Sequence, residues 1–78
     1  MSNLYVFVYC EDVIWSKELV KEAKKDVICI SANDERVREI LGSKGVKKVP
    51  LLYICRHVEG KSYTNIEYEL SKIREYVL

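Results

Sequence analysis

Short apolar runs alternate with amphipathic segments along this chain of 78 residues. Residues 4–9 (LYVFVY) are apolar or aromatic without a break, which predicts a strand covered on both faces. Residues 13–25 place apolar side chains at helical spacing with charged ones opposite, which predicts a helix capped by Asp12. The apolar side of that helix consists of Trp15, Leu19, Val20 and Ala23.

A second strand and a second helix follow in the same alternation. Residues 27–30 (VICI) are apolar and mostly β-branched, as is typical of strands. Residues 34–41 predict a short helix, and Gly42 follows it at a position where a helix C-terminus favours glycine. The apolar side of this helix consists of Val37, Ile40 and Leu41.

The next segment predicts a pair of strands. Val49-Pro50 precedes a strand over residues 51–55, and proline is tolerated at the first position of a strand. A turn and a fourth strand fall within residues 56–63. The pattern leaves two positions open for the turn, Cys55-Arg56 and Glu59-Gly60.

A capping box and a helical repeat occupy the C-terminal end of the chain. Thr64 stands three residues before Glu67, which is the spacing of a capping box. Four aliphatic residues then recur at helical spacing, so a helix is predicted from this box to the C-terminus. They are Ile66, Leu70, Ile73 and Val77.

The predicted element order is β-α-β-α-β-β-α, in a single domain over residues 1–78. The link between the first two strands is long enough for a crossover helix, so these strands should be parallel with a right-handed crossover. The last two strands are joined by a short link and should be antiparallel. The fold class is therefore α/β, with a four-stranded mixed sheet and helices on both faces.

Composition and charge narrow the classes of partner. Hydrophobic residues make up 49% of the chain and charged residues 32%, which suits one domain with its own core. The net charge of +1 gives no electrostatic reason to expect nucleic acid or an anionic membrane as partner. The N-terminus lacks the pattern of a signal peptide, and no apolar run approaches the length of a membrane span. These features predict an intracellular protein of a reducing compartment, the cytoplasm.

Cysteine and histidine are too few and too scattered for a zinc site, so no metal is predicted. Cys29 and Cys55 fall in predicted strands and are interpreted as small core residues. His57 has no suitable partner nearby and is interpreted as an ordinary turn or edge residue. Cys10 has two interpretations, a partly buried thiol at a strand end and a reactive monothiol.

Surface tyrosines and a basic link complete the candidate binding residues. Tyrosine is enriched at protein interfaces, and three tyrosines are expected at or near the surface of the last strand and helix. They are Tyr63, Tyr68 and Tyr76. The basic link is interpreted as a solvated loop. It contains Lys44, Lys47 and Lys48.

The element order, together with the segment Glu39–Ile54 (EILGSKGVKKVPLLYI), resembles the thioredoxin and glutaredoxin superfamily. The segment is similar to the family's helix, glycine-containing link, Val-Pro and following strand. Ser16–Ala23 (SKELVKEA) is similar to the first helix of glutaredoxins. The resemblance covers nearly the whole chain and implies a cis peptide bond before Pro50, close to the position of the active-site cysteine.

The family's Cys-x-x-Cys motif is missing in each of two possible alignments. In one, Cys10 takes the nucleophile position and Val13 replaces the second cysteine. In the other, the motif reads Val13-Ile14-Trp15-Ser16, and Ser16 stands where monothiol relatives often carry serine. Neither alignment leaves a dithiol, so dithiol oxidoreductase activity is not expected, whereas monothiol activity of Cys10 stays open.

The surroundings of Cys10 depart from the family in two further ways. Glu11 and Asp12 are adjacent anions, which favour the thiol over the thiolate. Val8 and Tyr9 stand where glutaredoxins carry a lysine for glutathione. No cofactor is therefore expected, and glutathione remains the one ligand that the resemblance raises.

The resemblance implies three functions. Minimal members of this fold without the motif serve as structural or adaptor pieces, including in virus particles, which implies a non-catalytic module acting through protein contacts in a larger assembly. The alternative is a monothiol glutaredoxin-like redox protein that uses Cys10. The third is a peptide-binding module whose groove lies between the first helix and Val49-Pro50. The residues expected at this partner groove are Val13, Trp15, Ser16, Val49 and Pro50.

Overall fold

This computed structural model describes residues 2–46 and 48–78 and places in them four strands and three helices, in the predicted order. The elements are β1 (Ser2–Tyr9), α1 (Ile14–Glu22), β2 (Val27–Ser31), α2 (Glu35–Ser43), β3 (Leu51–Val58), β4 (Lys61–Glu67) and α3 (Leu70–Val77). The strands form one sheet in the order β2-β1-β3-β4. β1 is parallel to β2 and antiparallel to β3, and β3 is antiparallel to β4. The predicted α/β class, the mixed sheet and both strand orientations are confirmed.

One face of the sheet is covered by the first and last helices. Phe7, Leu52 and Ile54 project from the sheet and are completely buried. They pack in one cluster with Leu19 of α1 and with Ile73 and Val77 of α3. The partly buried residues around this cluster include Trp15, Val20 and Ala23, as the spacing in α1 predicts.

The other face is covered by α2 alone. Val8 and Leu51 are buried on this side of the sheet, where they pack against Leu41 of α2 and against Ala32. Helices therefore lie on both faces, as predicted. Phe7 and Val8 face opposite sides because side chains alternate along a strand, so β1 supplies both hydrophobic clusters.

Helix α1 begins without the predicted aspartate cap and ends earlier than predicted. Val13 is the N-cap residue, and no side chain caps the helix there. The helix ends at Glu22 rather than at residue 25, because the backbone turns away to meet α3. The Lys24 N–H donates to the Val77 carbonyl oxygen at 2.9 Å, which is a tertiary bond that helical periodicity cannot reveal.

Asp34, which was predicted as the first residue of helix α2, is its N-cap, and the helix extends past its predicted end at residue 41. The Asp34 carboxylate accepts a hydrogen bond from the Arg36 N–H at 2.8 Å. The helix continues through Gly42 to Ser43, so the prediction that it stops at Gly42 is wrong. The glycine that ends it is Gly45, whose φ of 75° is the left-handed conformation that follows many helices.

The predicted C-terminal capping box is also wrong, because its residues belong to β4. Thr64 lies opposite Cys55 and Ile66 lies opposite Tyr53 in the hairpin with β3. Pairing with β3, which extends to Val58, satisfies the backbone of this segment and overrides its helical signal. Helix α3 begins later, with Glu69 at its N-cap and without a side-chain cap.

Two local features shape the connections of β3. The Val49–Pro50 peptide bond is cis and lies directly before the strand. Of the two turn positions left open by the sequence, the hairpin uses Glu59-Gly60. Both turn residues have positive φ, 51° at Glu59 and 80° at Gly60, as a two-residue type I′ turn requires.

The turn gives a testable prediction about stability. Glutamate carries a steric penalty in the left-handed region, and asparagine tolerates that region better and is the preferred first residue of such a turn. We expect Glu59→Asn to raise the free energy of unfolding by about 0.5–1 kcal/mol, measured by urea denaturation. Glu59→Val is the matched opposite case and should lower it, since β-branched residues fit positive φ poorly. An unchanged or lower stability for Glu59→Asn would contradict the turn assignment.

Candidate functional site

The candidate site is the loop between β1 and α1, where the family resemblance places its active site. Cys10 follows the last residue of β1, and the Val13 N–H donates to the Cys10 carbonyl oxygen at 3.1 Å, which closes a turn. The helix begins at Ile14 with Val13 as its N-cap. The N-cap of the helix is thus Val13 and not Cys10, and Cys10 lies three residues before this N-cap.

Ser16 holds this loop together from the inside. Its side chain is completely buried. Its hydroxyl proton is shared between the carbonyl oxygens of Cys10 and Val13, both at 2.8 Å, and its oxygen accepts from the Cys10 N–H at 3.1 Å. A hydroxyl has one proton and two lone pairs, so most of its hydrogen-bonding capacity is used. Ser16 was expected at a partner groove. The structure buries its side chain inside the loop, where it links the backbone of Cys10 to that of Val13.

Cys10 lines a cleft of about 260 Å³ beside this loop. The cleft lies between the loop and α2, and Val49 also lines it, so two of the predicted site residues come together there. Cys10 is a free, partly buried thiol. The other lining residues are Asp12, Ala32, Asn33, Arg38, Leu41, Gly42 and Val46.

The remaining predicted groove residues lie elsewhere or contribute apolar surface only. Trp15 belongs to α1 and lines a depression between α1 and α3 together with Leu70 and Arg74. Val13 and Pro50 are half-buried. Ile14, which the predicted groove did not include, is 73% exposed at the start of α1. The sequence carried a signal for it, because Ile14 is an aliphatic residue on the charged side of an amphipathic helix.

Arg38 is the site residue that sequence reasoning missed. Its Nε donates to the Ala32 carbonyl oxygen at 3.2 Å, which holds the side chain across the β2–α2 loop toward the cleft. The two loops are joined where the Ala32 N–H donates to the Tyr9 carbonyl oxygen at 2.8 Å. The predicted topology could have indicated Arg38, because the carboxyl ends of the parallel strands β1 and β2 meet at one edge of the sheet and bring the two following loops together.

The other two cysteines lie apart from the cleft and from each other. Cys29 belongs to β2 and packs against the cluster under α1 and α3, and burial raises the pKa of its thiol above the usual value. Cys55 lies opposite Leu4 and Thr64 and faces the other side of the sheet. Both are half-buried free thiols, somewhat more open than the core residues that were predicted. A raised pKa keeps Cys29 in its less reactive thiol form near neutral pH.

The sheet face under α2 is incompletely covered. An apolar cleft of about 160 Å³ separates the helix from the sheet, with Val6, Ile30 and Tyr53 among its lining residues. Ile40 lines this cleft and is 55% exposed, and Leu4 and Ile28, on the same face of the sheet, are 46% and 47% exposed. The run of residues 4–9 was predicted to be covered on both faces. The prediction is wrong for Leu4 at the start of the run, because α2 has only nine residues and does not reach the end of β1 that carries Leu4.

Several tyrosines pack against other side chains. Tyr5 and Tyr76 stack with ring centroids 5.8 Å apart. The ammonium groups of Lys44 and Lys48 lie 5.6 Å from the ring centroids of Tyr53 and Tyr68, respectively. These two lysines of the predicted solvated loop therefore make cation–π contacts, which sequence patterns do not reveal.

Two of the candidate surface tyrosines are exposed, Tyr63 and Tyr68, whereas Tyr76 is half-buried. Lys47 lies outside the described residues. His57 is exposed on β3, where its Nδ1 lies 3.1 Å from the Ser62 hydroxyl across the hairpin.

Comparison with known proteins gave no match to a family model, a curated protein or a solved structure. Within residues 2–46 and 48–78, no group of three or more histidine, cysteine or acidic side chains is arranged to hold a metal ion. In the same ranges, none of the helices has the length and apolar character needed to cross a bilayer.

The role of Ser16 gives a second prediction. Ser16→Ala removes the hydroxyl that accepts from the Cys10 N–H, and we expect it to lower the free energy of unfolding by roughly 1–3 kcal/mol. Ser43→Ala is the matched control, because its exposed hydroxyl makes a single bond to the Ile40 carbonyl oxygen. That control should stay within about 0.5 kcal/mol of the native chain in the same urea denaturation. Equal effects of the two substitutions would show that Ser16 does not fasten the loop.

Proposed function

We propose that this chain is a non-catalytic module of the thioredoxin-like fold that acts through protein contacts, as a small structural subunit of a larger assembly such as a virus particle. The mixed sheet with β1 parallel to β2, the β3–β4 hairpin and the helices on both faces support the fold part of this proposal. The assembly part rests on the family resemblance of residues 39–54.

The observation that carries the proposal is the start of α1 at Val13. The N-cap position of Val13 supports the alignment in which Val13-Ile14-Trp15-Ser16 corresponds to the family's Cys-x-x-Cys motif. Thiol–disulfide chemistry needs a thiolate there, which the N–H groups of the helix N-terminus stabilise. The first position holds an aliphatic side chain, and the fourth holds a hydroxyl that is buried and bonded to the loop backbone.

Exposed apolar side chains support the role in protein contacts. Ile14 is exposed beside the degenerate motif, and Leu4, Ile28 and Ile40 are exposed together with the apolar cleft under α2. Clustered apolar surface of this kind marks interaction sites in soluble proteins. The family's old groove and the sheet face under α2 are thus the two surfaces on which such a module would meet its partners.

A specific observation also favours the monothiol alternative. Cys10 lines a cleft of about 260 Å³ together with Arg38, so a substrate disulfide has access to this thiol. In this alternative the Cys10 thiolate attacks one sulfur of a substrate disulfide, so a mixed disulfide forms and the other sulfur leaves as a thiolate. An added thiol such as glutathione then releases Cys10 by the same exchange.

A disulfide-reduction assay separates the two functions. With excess glutathione as reductant, we expect the native chain and Cys10→Ser to reduce a model protein disulfide no faster than glutathione alone. Cys55→Ser is the matched control for the loss of one free thiol. Robust turnover by the native chain and by Cys55→Ser, lost in Cys10→Ser, would overturn the non-catalytic proposal and establish the monothiol reaction.

Restoring the motif tests the alignment directly. In a Cys10→Ser background, we expect Val13→Cys combined with Ser16→Cys to form an intramolecular disulfide and to gain turnover in the same assay. The matched controls carry Cys10→Ser with only one of the two introduced cysteines, and they should gain neither. If the triple variant keeps its circular dichroism spectrum but forms no disulfide, Val13 and Ser16 do not occupy the motif positions.

A further inference from the structure

β4 is an edge strand that presents an open row of backbone groups. It runs without interruption over Lys61–Glu67, and its pairing with β3 contains no bulge. Its first five residues are exposed. It contains no proline, and its only charged residues are Lys61 and Glu67, at its two ends. Edge strands are usually shielded by bulges, proline or inward charges, so β4 is open to pairing with another strand.

The hairpin turn determines which backbone groups of β4 point outward. In a two-residue hairpin, the pair that flanks the turn exchanges both of its hydrogen bonds, and here that pair is Val58 and Lys61. Hydrogen-bonded and non-bonded pairs then alternate along the strands. The residues of β4 whose N–H and C=O groups point away from β3 are therefore Ser62, Thr64 and Ile66.

We propose that β4 pairs with β4 of a second copy of this chain, antiparallel and across a two-fold axis at Thr64. In this register Thr64 lies opposite its own copy and Ser62 lies opposite Ile66, so every outward-pointing group meets a partner. Lys61 lies opposite Glu67 at both ends of the paired segment. Residues directly opposite each other project from the same face of a sheet, so these opposite charges meet.

The charges select this register and this partner. An axis through Tyr63 or Asn65 shortens the overlap and moves Lys61 away from Glu67. The strand is complementary to itself, which is the requirement of a two-fold interface between identical chains. A net charge of +1 offers little repulsion between the copies. β2, the other edge, is shorter and carries no charged residue, so it has no comparable device.

The pairing makes one continuous sheet from two copies. Since the axis is perpendicular to the sheet, both α2 helices lie on the same side, and the exposed Leu4, Ile28 and Ile40 of both copies share one face. The inference deepens the proposed function, on which it rests, by naming a second copy of this chain as the first partner.

Proline at Thr64 tests the pairing without disturbing the hairpin. The Thr64 N–H points outward, so Thr64→Pro removes a bond to the second copy and none to β3. Sedimentation velocity over a concentration series should show a monomer–dimer equilibrium for the native chain and for Thr64→Val, the matched control. Thr64→Pro should remain monomeric at every concentration. A native chain that is monomeric up to about 1 mM, or a dimer that survives Thr64→Pro, would overturn the proposal.

A charge exchange tests the register and covers the case in which Thr64→Pro fails to fold. Lys61→Glu should weaken the dimer about tenfold, since each exchanged position then faces a like charge. Glu67→Lys should do the same, and the two substitutions together should restore the native dissociation constant. Additive losses without rescue would refute this register. These outcomes are independent of the disulfide-reduction assay, in which turnover by Cys10 would overturn the proposed function whatever the oligomeric state.

Discussion

The whole fold depends on the two-sided burial of β1. This strand pairs in parallel with β2 and antiparallel with β3, so both of its edges are hydrogen-bonded. Phe7 and Val8 bury its two faces in separate hydrophobic clusters, one under α1 and α3 and the other under α2. A polar residue at either position would lack a partner for its hydrogen bonds, so both positions require apolar side chains. The loop that carries the candidate site is anchored at the buried end of this strand.

The sequence patterns that predicted the architecture were those that depend on burial. Apolar runs located the strands, and helical spacing located the core residues Leu19 of α1 and Ile73 and Val77 of α3. Patterns that depend on a few local side chains were less reliable. Asp12 does not cap α1 as predicted, Asp34 is the N-cap of α2 rather than its first helical residue, and Thr64 and Glu67 lie in β4. Cross-strand pairing also depends on the partner strand, and it determines whether a segment with both helical and strand-like patterns becomes a strand, as it does for residues 61–67.

The candidate site was predictable only in part, for the same reason. The family resemblance pointed to the β1–α1 loop, but the sequence left the start of the helix open between Cys10 and Val13, and the structure places Val13 at the N-cap. The presence of Arg38 beside Cys10 depends on the adjacency of two loops after parallel strands. The burial of Ser16 could not be inferred from its neighbours, because serine is mostly exposed and its helix has other polar residues. Open surfaces, such as that around Leu4, required knowing how far α2 extends.

Ser16 also has a consequence for the environments in which this molecule keeps its shape. In a Cys-x-x-Cys protein, the two sulfur atoms exist in oxidised and reduced forms, and the ratio follows the redox potential of the surroundings. In this chain the loop between β1 and α1 is closed by the Ser16 hydroxyl, which is bonded to backbone groups. A hydroxyl has no disulfide state, so this closure is the same in a reducing cell interior and in oxidising surroundings outside it.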